Sequence, residues 1–472
     1  MGTIQNTLIY EALNTLNDAE RREFLQFLHT PFFNNKPVLS HYGAYLLQCI
    51  ASRQDPEQQQ IYALVAKSAR VLPEQSLRLA NSALLRLLEQ WWQYRAFVEK
   101  NERTGLQLVE VYRKRGLPRH YKTARREAEA QRERSPLRNA AYWEETFQLS
   151  WEHYQYEVGV QRAGKLNLQE CSDGLDTAFM ANKLRLACLA LSHQAVYKTD
   201  YEIAYLPEIL QRIHESYPLQ QLPALGLYYH CYQFLTGKEG AAHFSAFITL
   251  LSEAAEQFPE EELRLLYLLA INYGIRQINK SADGAIESTF ELYKGALQRN
   301  LLLENGYISR FAFSNIVAIS LRAGHTDWVE GFIEKYKTRL ERQWREAITH
   351  LSLARLEYER RQYQAALLHL QRADYKDTMN NLSAKILQMK IYYETGATDT
   401  LEHHLKNLKK YIQRHTAIGY HRVNYSNIVH YTEQLTLVNP LDGKAVAQLK
   451  AAISSEKTLT EKEWLLSMAA QL

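Results

Sequence analysis

Cysteine, proline and glycine are all scarce in this chain: 4, 11 and 19 respectively in 472 residues. Cys49, Cys171, Cys188 and Cys231 are scattered and make no paired-spacing motif. That spacing offers neither a disulfide framework nor a cysteine-based zinc site, and it predicts separate, reduced, buried thiols. Few turn residues argue against a β-sandwich and for long helices joined by short connections. No apolar run approaches membrane-spanning length. The opening MGTIQNTLIYEAL has no basic stretch leading into an apolar one, so no signal peptide is expected and the expected location is cytoplasmic. Neither sign of charge is in excess, with 56 basic against 52 acidic residues and a net charge of +4. That balance does not describe a dedicated nucleic-acid protein, although local patches still count.

Chemical motifs are also missing. The chain has no HExxH, phosphate-loop, dinucleotide, zinc-knuckle or G-x-S-x-G pattern. His403 and His404 are helical neighbours whose side chains diverge by about 100°. His415 and His421 are separated across Gly419. Cys188 and His193 miss a shared helical face, and His230-Cys231 is a neighbour pair. Glu260, Glu261 and Glu262 follow Pro259 and suit the first turn of a helix, where the dipole favours negative charge. The expectation is no catalytic residue, no metal, no cofactor and no enzyme.

What the chain does have is three-and-four apolar spacing and 31 tyrosines, which can fill the spaces between helices while keeping a polar end. Asn17 with Glu20 predicts a capping box. Phe24, Phe27 and Leu28 make the stripe of the helix it opens, which Pro31 ends, and Phe32 and Phe33 are expected to pack back onto it. Residues 74–100 read as one long helix, with Leu77, Ala80, Leu84, Leu87, Leu88 and Trp91 in phase. An aromatic helix follows over 140–159. Residues 166–174 read as a loop, a helix over 175–197 includes Val196, and another starts near Tyr201. Helix pairs continue to about residue 435. Asn439-Pro440 and Asp442-Gly443 mark a break, and Thr460 with Glu463 predicts a second capping box ahead of an apolar, docking C-terminal segment.

The pattern is clearest over Arg345–Ala373. Ala354 and Tyr358 lie on a first helix, and Tyr363, Ala366, Leu370 and Ala373 on a second. Ala354, Tyr363, Ala366, Leu370 and Ala373 resemble a tetratricopeptide repeat, while Arg361 stands where that family has a turn glycine and Glu357 where it has the aromatic of the first helix, Tyr358 being one place off. Met389, Tyr392, Gly396, Leu401, Leu405 and Leu408 form a following copy. Val317, Gly324, Trp328, Val329, Ile333 and Tyr336 form one before it. The resemblance covers roughly residues 310–415, and a plain bundle of helical hairpins remains the alternative. It implies an all-α fold, a superhelical array of antiparallel helical hairpins (a TPR-like α-solenoid) with helical caps at both ends. The corresponding domains are an N-terminal helical cap (1–112), a basic polar connecting helix (113–138), the repeat array (139–436) and C-terminal capping helices (437–472).

In the resembled family the inner face comes mainly from first helices. The expected function is therefore a non-enzymatic scaffold or adaptor holding a protein or peptide. Thr349, Ser352, Arg355 and Glu359 are its candidate contacts on one unit; Asn381, Lys385, Gln388 and Lys390 are those on the next. The alternative is nucleic-acid binding or regulation through the segment 113–138. Its Arg113, Lys114, Arg115, Arg119, Lys122, Arg125 and Arg126 are only partly offset by Glu127, Glu129 and Glu133. The bland account of that segment is a solvated polar helix. Self-association is compatible with either function.

Overall fold

Where the sequence repeats apolar residues at three-and-four spacing, the backbone is helical with few exceptions. A computed structural model describes residues 4–66, 73–160, 165–195, 197, 199–237, 239–372, 377–415 and 421–472. It is all-α, with twenty-three α-helices among the described residues. The chain divides into two compact units, Met1–Met180 and Ala181–Leu472.

The first unit holds α1 (Leu8–Asn14), α2 (Asp18–His29), α3 (Pro37–Ser52), α4 (Gln58–Ala66), α5 (Pro73–Thr104), α6 (Leu106–Lys114), α7 (Pro118–Arg134) and α8 (Ala140–Val160), and the start of α9 (Leu168–Gln194). The predicted capping box opens α2. The Asn17 side chain accepts from the N–H groups of Ala19 and Glu20, and the Glu20 carboxylate accepts from the Asn17 N–H, each at 3.0 Å. Such a cap contributes roughly 1 kcal/mol. Phe24, Phe27 and Leu28 are buried with Tyr42, Leu46, Leu84 and Trp91 in one core. Phe33 stacks on Phe27 with ring centroids 4.3 Å apart, as expected, but Phe32 beside it is 87% exposed.

The polar helix of the basic segment is α7, and it carries more apolar stripe than its sequence suggested. Tyr121, Ala124 and Ala128 recur at +3 and +4 and are buried with Val109 and Leu149. The Tyr121 ring lies on Tyr156, centroids 3.9 Å apart. Two alanines and one large ring seat the helix on its neighbours, because small residues allow close approach and the aromatic pair adds about 0.5–1.5 kcal/mol.

The second unit continues from α9 with α10 (Leu206–Ser216), α11 (Pro223–Thr236), α12 (Gly240–Ala254), α13 (Glu260–Asn279), α14 (Ala285–Gln298), α15 (Arg310–Arg322), α16 (Thr326–Tyr336), α17 (Arg342–Glu359) and α18 (Tyr363–Arg372). It ends with α19 (Thr378–Glu394), α20 (Thr398–Arg414), α21 (His421–Leu437), α22 (Gly443–Ser455) and α23 (Lys462–Ala470). Helices pack in consecutive pairs: α11 on α12, α13 on α14, α15 on α16, α17 on α18, α19 on α20. First helices also touch across pairs, α11 on α13, α15 on α17 and α17 on α19. Between α14 and α15 a small antiparallel hairpin pairs β1 (Leu303–Glu304) with β2 (Tyr307–Ile308). Its turn is Asn305-Gly306, both at positive φ, the geometry that this dipeptide favours.

Three expectations fail locally. Residues 168–174 are helix, not loop, because Gly174 is a packing glycine. A Cβ there would come within 3.2 Å of the Phe147 backbone on α8, so the missing side chain permits close contact and breaks nothing. No helix begins at Tyr201; α10 begins at Leu206, with Pro207 in its first turn and Tyr205 left-handed before it. The second capping box is absent. Glu461, not Thr460, precedes α23, and Glu463 turns away to an arginine. Val196, Ala373 and Gly419 lie outside the described residues.

Candidate functional site

Three first helices, α15, α17 and α19, form a continuous row through the contacts of α17 with both neighbours. Toward their C-terminal ends they carry Arg322, then Arg355, Tyr358 and Glu359, then Lys390 and Glu394. The chain's own last helix, α23, is held against this set. Lys390 Nζ lies 2.9 Å from a Glu461 carboxylate oxygen, and Arg322 lies 3.1 Å from Glu463. The Trp464 indole N–H donates to Glu394 at 2.6 Å. That same carboxylate accepts from the Tyr363 hydroxyl at 2.6 Å and from the Tyr358 hydroxyl. Lys390 also stands 4.7 Å from the centroid of the Tyr358 ring and 5.6 Å from that of Trp464, so one ammonium is shared by a carboxylate and two ring faces. Trp464, Leu465, Met468 and Ala469 are buried in the core cluster formed by α19–α23.

The electrostatics follow from this packing. Desolvation alone would raise the Glu461 carboxyl, but Lys390, Arg355 and Arg322 overcome it and hold the group below its ordinary range. Its side chain keeps 40% of its exposure, so it is ringed by protein and cations yet open to water on one side. Glu359 is also exposed, but the protein around it raises its carboxyl. Lys390 opposes that rise, and Glu461 and Glu394 add to it. Burial and then Glu394 push Tyr363 up to about 12, and the same two influences raise Tyr358. Burial raises Tyr425 on α21, with Arg355 acting against it. Chemically the set binds carboxylates and flat apolar groups through ion pairs and ring contacts.

The predicted contacts divide. Arg355 and Glu359 belong to this set, as does Lys390. Ser352 is 1% exposed and offers no free surface. Thr349 is half-buried, its hydroxyl without a hydrogen-bond partner among the described residues. Lys385 lies elsewhere on α19: its Nζ is 5.4 Å from the Tyr411 ring centroid and its carbonyl takes His404 Nε2 at 2.8 Å. Gln388 is half-buried. Arg322, Glu394, Glu461 and Trp464 were missed. The contacts that join the row to Glu461, Glu463 and Trp464 span 70 to 141 residues, and no spacing rule links them.

In the basic segment, Arg113 is paired with Glu152 at 2.6 Å, Lys114 with Glu110, and Arg125 with Glu129 at 2.7 Å. Arg115, Arg119, Lys122 and Arg126 are exposed and have no partner among the described residues.

Other chemistry-bearing residues meet inside the second unit. His230 and His243 bring their Nδ1 atoms to 2.9 Å across α11 and α12, and His350 and His369 theirs to 3.0 Å across α17 and α18. Burial, then the facing ring, lowers His230 and His369. Cys188 and Cys231 are free and close enough to influence each other, and the Cys188 thiol donates to the Tyr228 carbonyl at 3.4 Å, so these two thiols are not separate as expected. Glu262, read as a first-turn residue, does open α13, but it is buried and accepts from the Tyr228 hydroxyl at 2.8 Å. Among the described residues no three His, Cys, Asp or Glu side chains gather as a metal site, and no helix is long and apolar enough to cross a membrane. No protein-family model matches the chain, and no curated protein matches it in sequence.

Proposed function

We propose that the chain is a non-enzymatic protein-interaction scaffold, a TPR-like array of helical hairpins whose row of first helices receives short helical segments of a protein partner. The observation that carries this reading is α23 itself. A helix with two glutamates ahead of a buried Trp-Leu pair is held by Lys390, Arg322 and Glu394 of that row. The row thus has the charge and ring surface to take a helix. Consecutive helix pairs with first-helix contacts between them support the array, since each hairpin buries its apolar stripe only against its neighbours.

The test is a photo-crosslinking residue at Glu359, on the open side of the set, in the full-length chain within its source cells. The control carries it at exposed Lys444. Discrete protein adducts at position 359 that resist nuclease, absent at 444 and reduced in a Lys390→Ser background, are expected. No adduct at 359, or the same adducts at both positions, rejects the scaffold reading.

A further inference from the structure

The ten basic residues between Arg113 and Arg138 do not share one fate. Arg113, Lys114 and Arg125 are neutralised by carboxylates. Arg138 donates to the carbonyls of Ser135 and Leu137 and stacks on Tyr142, which Arg132 also faces. Arg115, Arg119, Lys122, Arg126 and Arg134 are left, exposed and without a partner among the described residues. Arg134 closes the far end of α7, where the helix dipole favours a cation. On α7 the steps 119, 122, 126 are +3 and +4, so these side chains share one face. That face is opposite Tyr121, Ala124 and Ala128, which are buried. Arg115, the C-cap of α6, is exposed just before the turn at Gly116 that leads into α7. At 1.5 Å rise per residue, Arg119 to Arg126 spans roughly 10 Å of rigid helix.

The fold gains nothing from this line. Arg119 and Lys122 stand near the N-terminus of α7, where the helix dipole opposes positive charge, and the first turn holds no acidic residue. Four like charges in a row also repel one another. Cations placed against the local electrostatics, on a helix already fixed by its other face, point to an anion outside the chain.

We propose that Arg115, Arg119, Lys122 and Arg126 bind the phosphate backbone of a nucleic acid. Three cations on one face of α7, with a fourth at the turn before it, suit a run of phosphates. Three of the four are arginine, whose planar fork pairs with phosphate oxygens two at a time. His120, next to Arg119, lies with its ring 5.3 Å from that of Tyr112 and provides a flat surface beside the line. A membrane is the poorer fit. The apolar face of α7, Tyr121, Ala124 and Ala128, is buried within the chain, and the exposed Leu108, Val111 and Leu117 lie on α6 and the turn, so the cationic helix has no apolar face of its own free to enter a bilayer.

The test uses the full chain and labelled 20-nucleotide probes, duplex DNA and single-stranded RNA, in fluorescence anisotropy over a salt series. Binding by either probe is expected, and the better one identifies the source of the phosphates. For the duplex, log Kobs should fall against log salt with a slope near −3 to −4, about 0.9 for each of four contacts. Changing Arg115, Arg119, Lys122 and Arg126 to Ser should weaken binding more than tenfold and flatten the slope, with helical circular dichroism and melting unchanged. Changing Lys410, Lys444 and Lys457 to Ser instead should leave binding within twofold. No binding at low salt overturns the proposal. So does equal loss in the two variants, or binding that poly-glutamate or phosphatidylserine vesicles match or exceed.

Discussion

At the level of single residues, the turn between α17 and α18 shows how side-chain identity and backbone geometry diverge. Gly324, Arg361 and Gly396 all take left-handed φ, at 81°, 59° and 66°. Each is followed by the same closing bond, His325 N–H to Ser320, Gln362 N–H to Glu357 and Ala397 N–H to Tyr392. This is the hydrogen bond that closes a helix after a left-handed residue, and it satisfies an orphan carbonyl. Arginine costs about 1–2 kcal/mol in that conformation, and glycine's greater unfolded-state freedom takes back part of any relief. Arg361→Gly is therefore expected to stabilise the chain by about 0.5 kcal/mol, read as a rise in melting temperature. A fall of that size would show that the exposed arginine makes contacts that outweigh its strain. Ala366 is fully buried with Leu351, Ala354 and Ala384. Ala366→Leu should cost about 1–3 kcal/mol by overpacking. An unchanged melting curve would mean that the space beside Ala366 can open without loss.

At the level of elements, α23 and α7 show two ways a helix acquires its place. α7 is set by a stripe legible along its own sequence, once Ala124 and Ala128 are counted with Tyr121. α23 is set partly by distant charges. Glu461 has its carboxyl lowered, so its ionised form is favoured in the folded state. The stability it adds is fully present above its ordinary value of 4.5 and is lost as pH falls through the lowered one. Hydrogen exchange over residues 462–470, corrected for the intrinsic pH effect, should show protection at pH 7 that declines below about pH 4.5. Glu461→Gln should start less protected and decline less. Parallel profiles for the two proteins would remove Glu461 from the docking of α23.

For the whole molecule, the thiols test the chemistry read from composition. All four cysteines are free and buried, and Cys188 and Cys231 are close enough to influence each other. Burial first, then the neighbouring thiol, raises Cys188 far above its ordinary value and so disfavours the reactive thiolate. Alkylation of the chain unfolded without reductant should therefore modify four thiols by mass. Two modified thiols would indicate a Cys188–Cys231 bridge. The near-balanced total charge also conceals detail, since it averages paired and unpaired cations alike. The line from Arg115 to Arg126 is visible only after partners have been assigned.

Sequence alone determined the helical class, the pairing of neighbouring helices and inward faces such as those of α2 and α5, because apolar spacing and short connections act over a few residues; it misjudged those of α8 and α9, where Trp151, Val158, Leu175, Phe179 and Leu186 are exposed. It also determined the Asn17–Glu20 cap, whose partners are three residues apart. Tertiary structure decided which of those faces meet and what is left exposed. It placed Gly174 in a helix, because the close approach of Phe147 comes from another helix. It buried Ser352 and brought Glu461, Glu463 and Trp464 to Lys390, Arg322 and Glu394. Those contacts depend on chain segments far apart in sequence, and their energies arise from desolvation and charge proximity that no local pattern encodes.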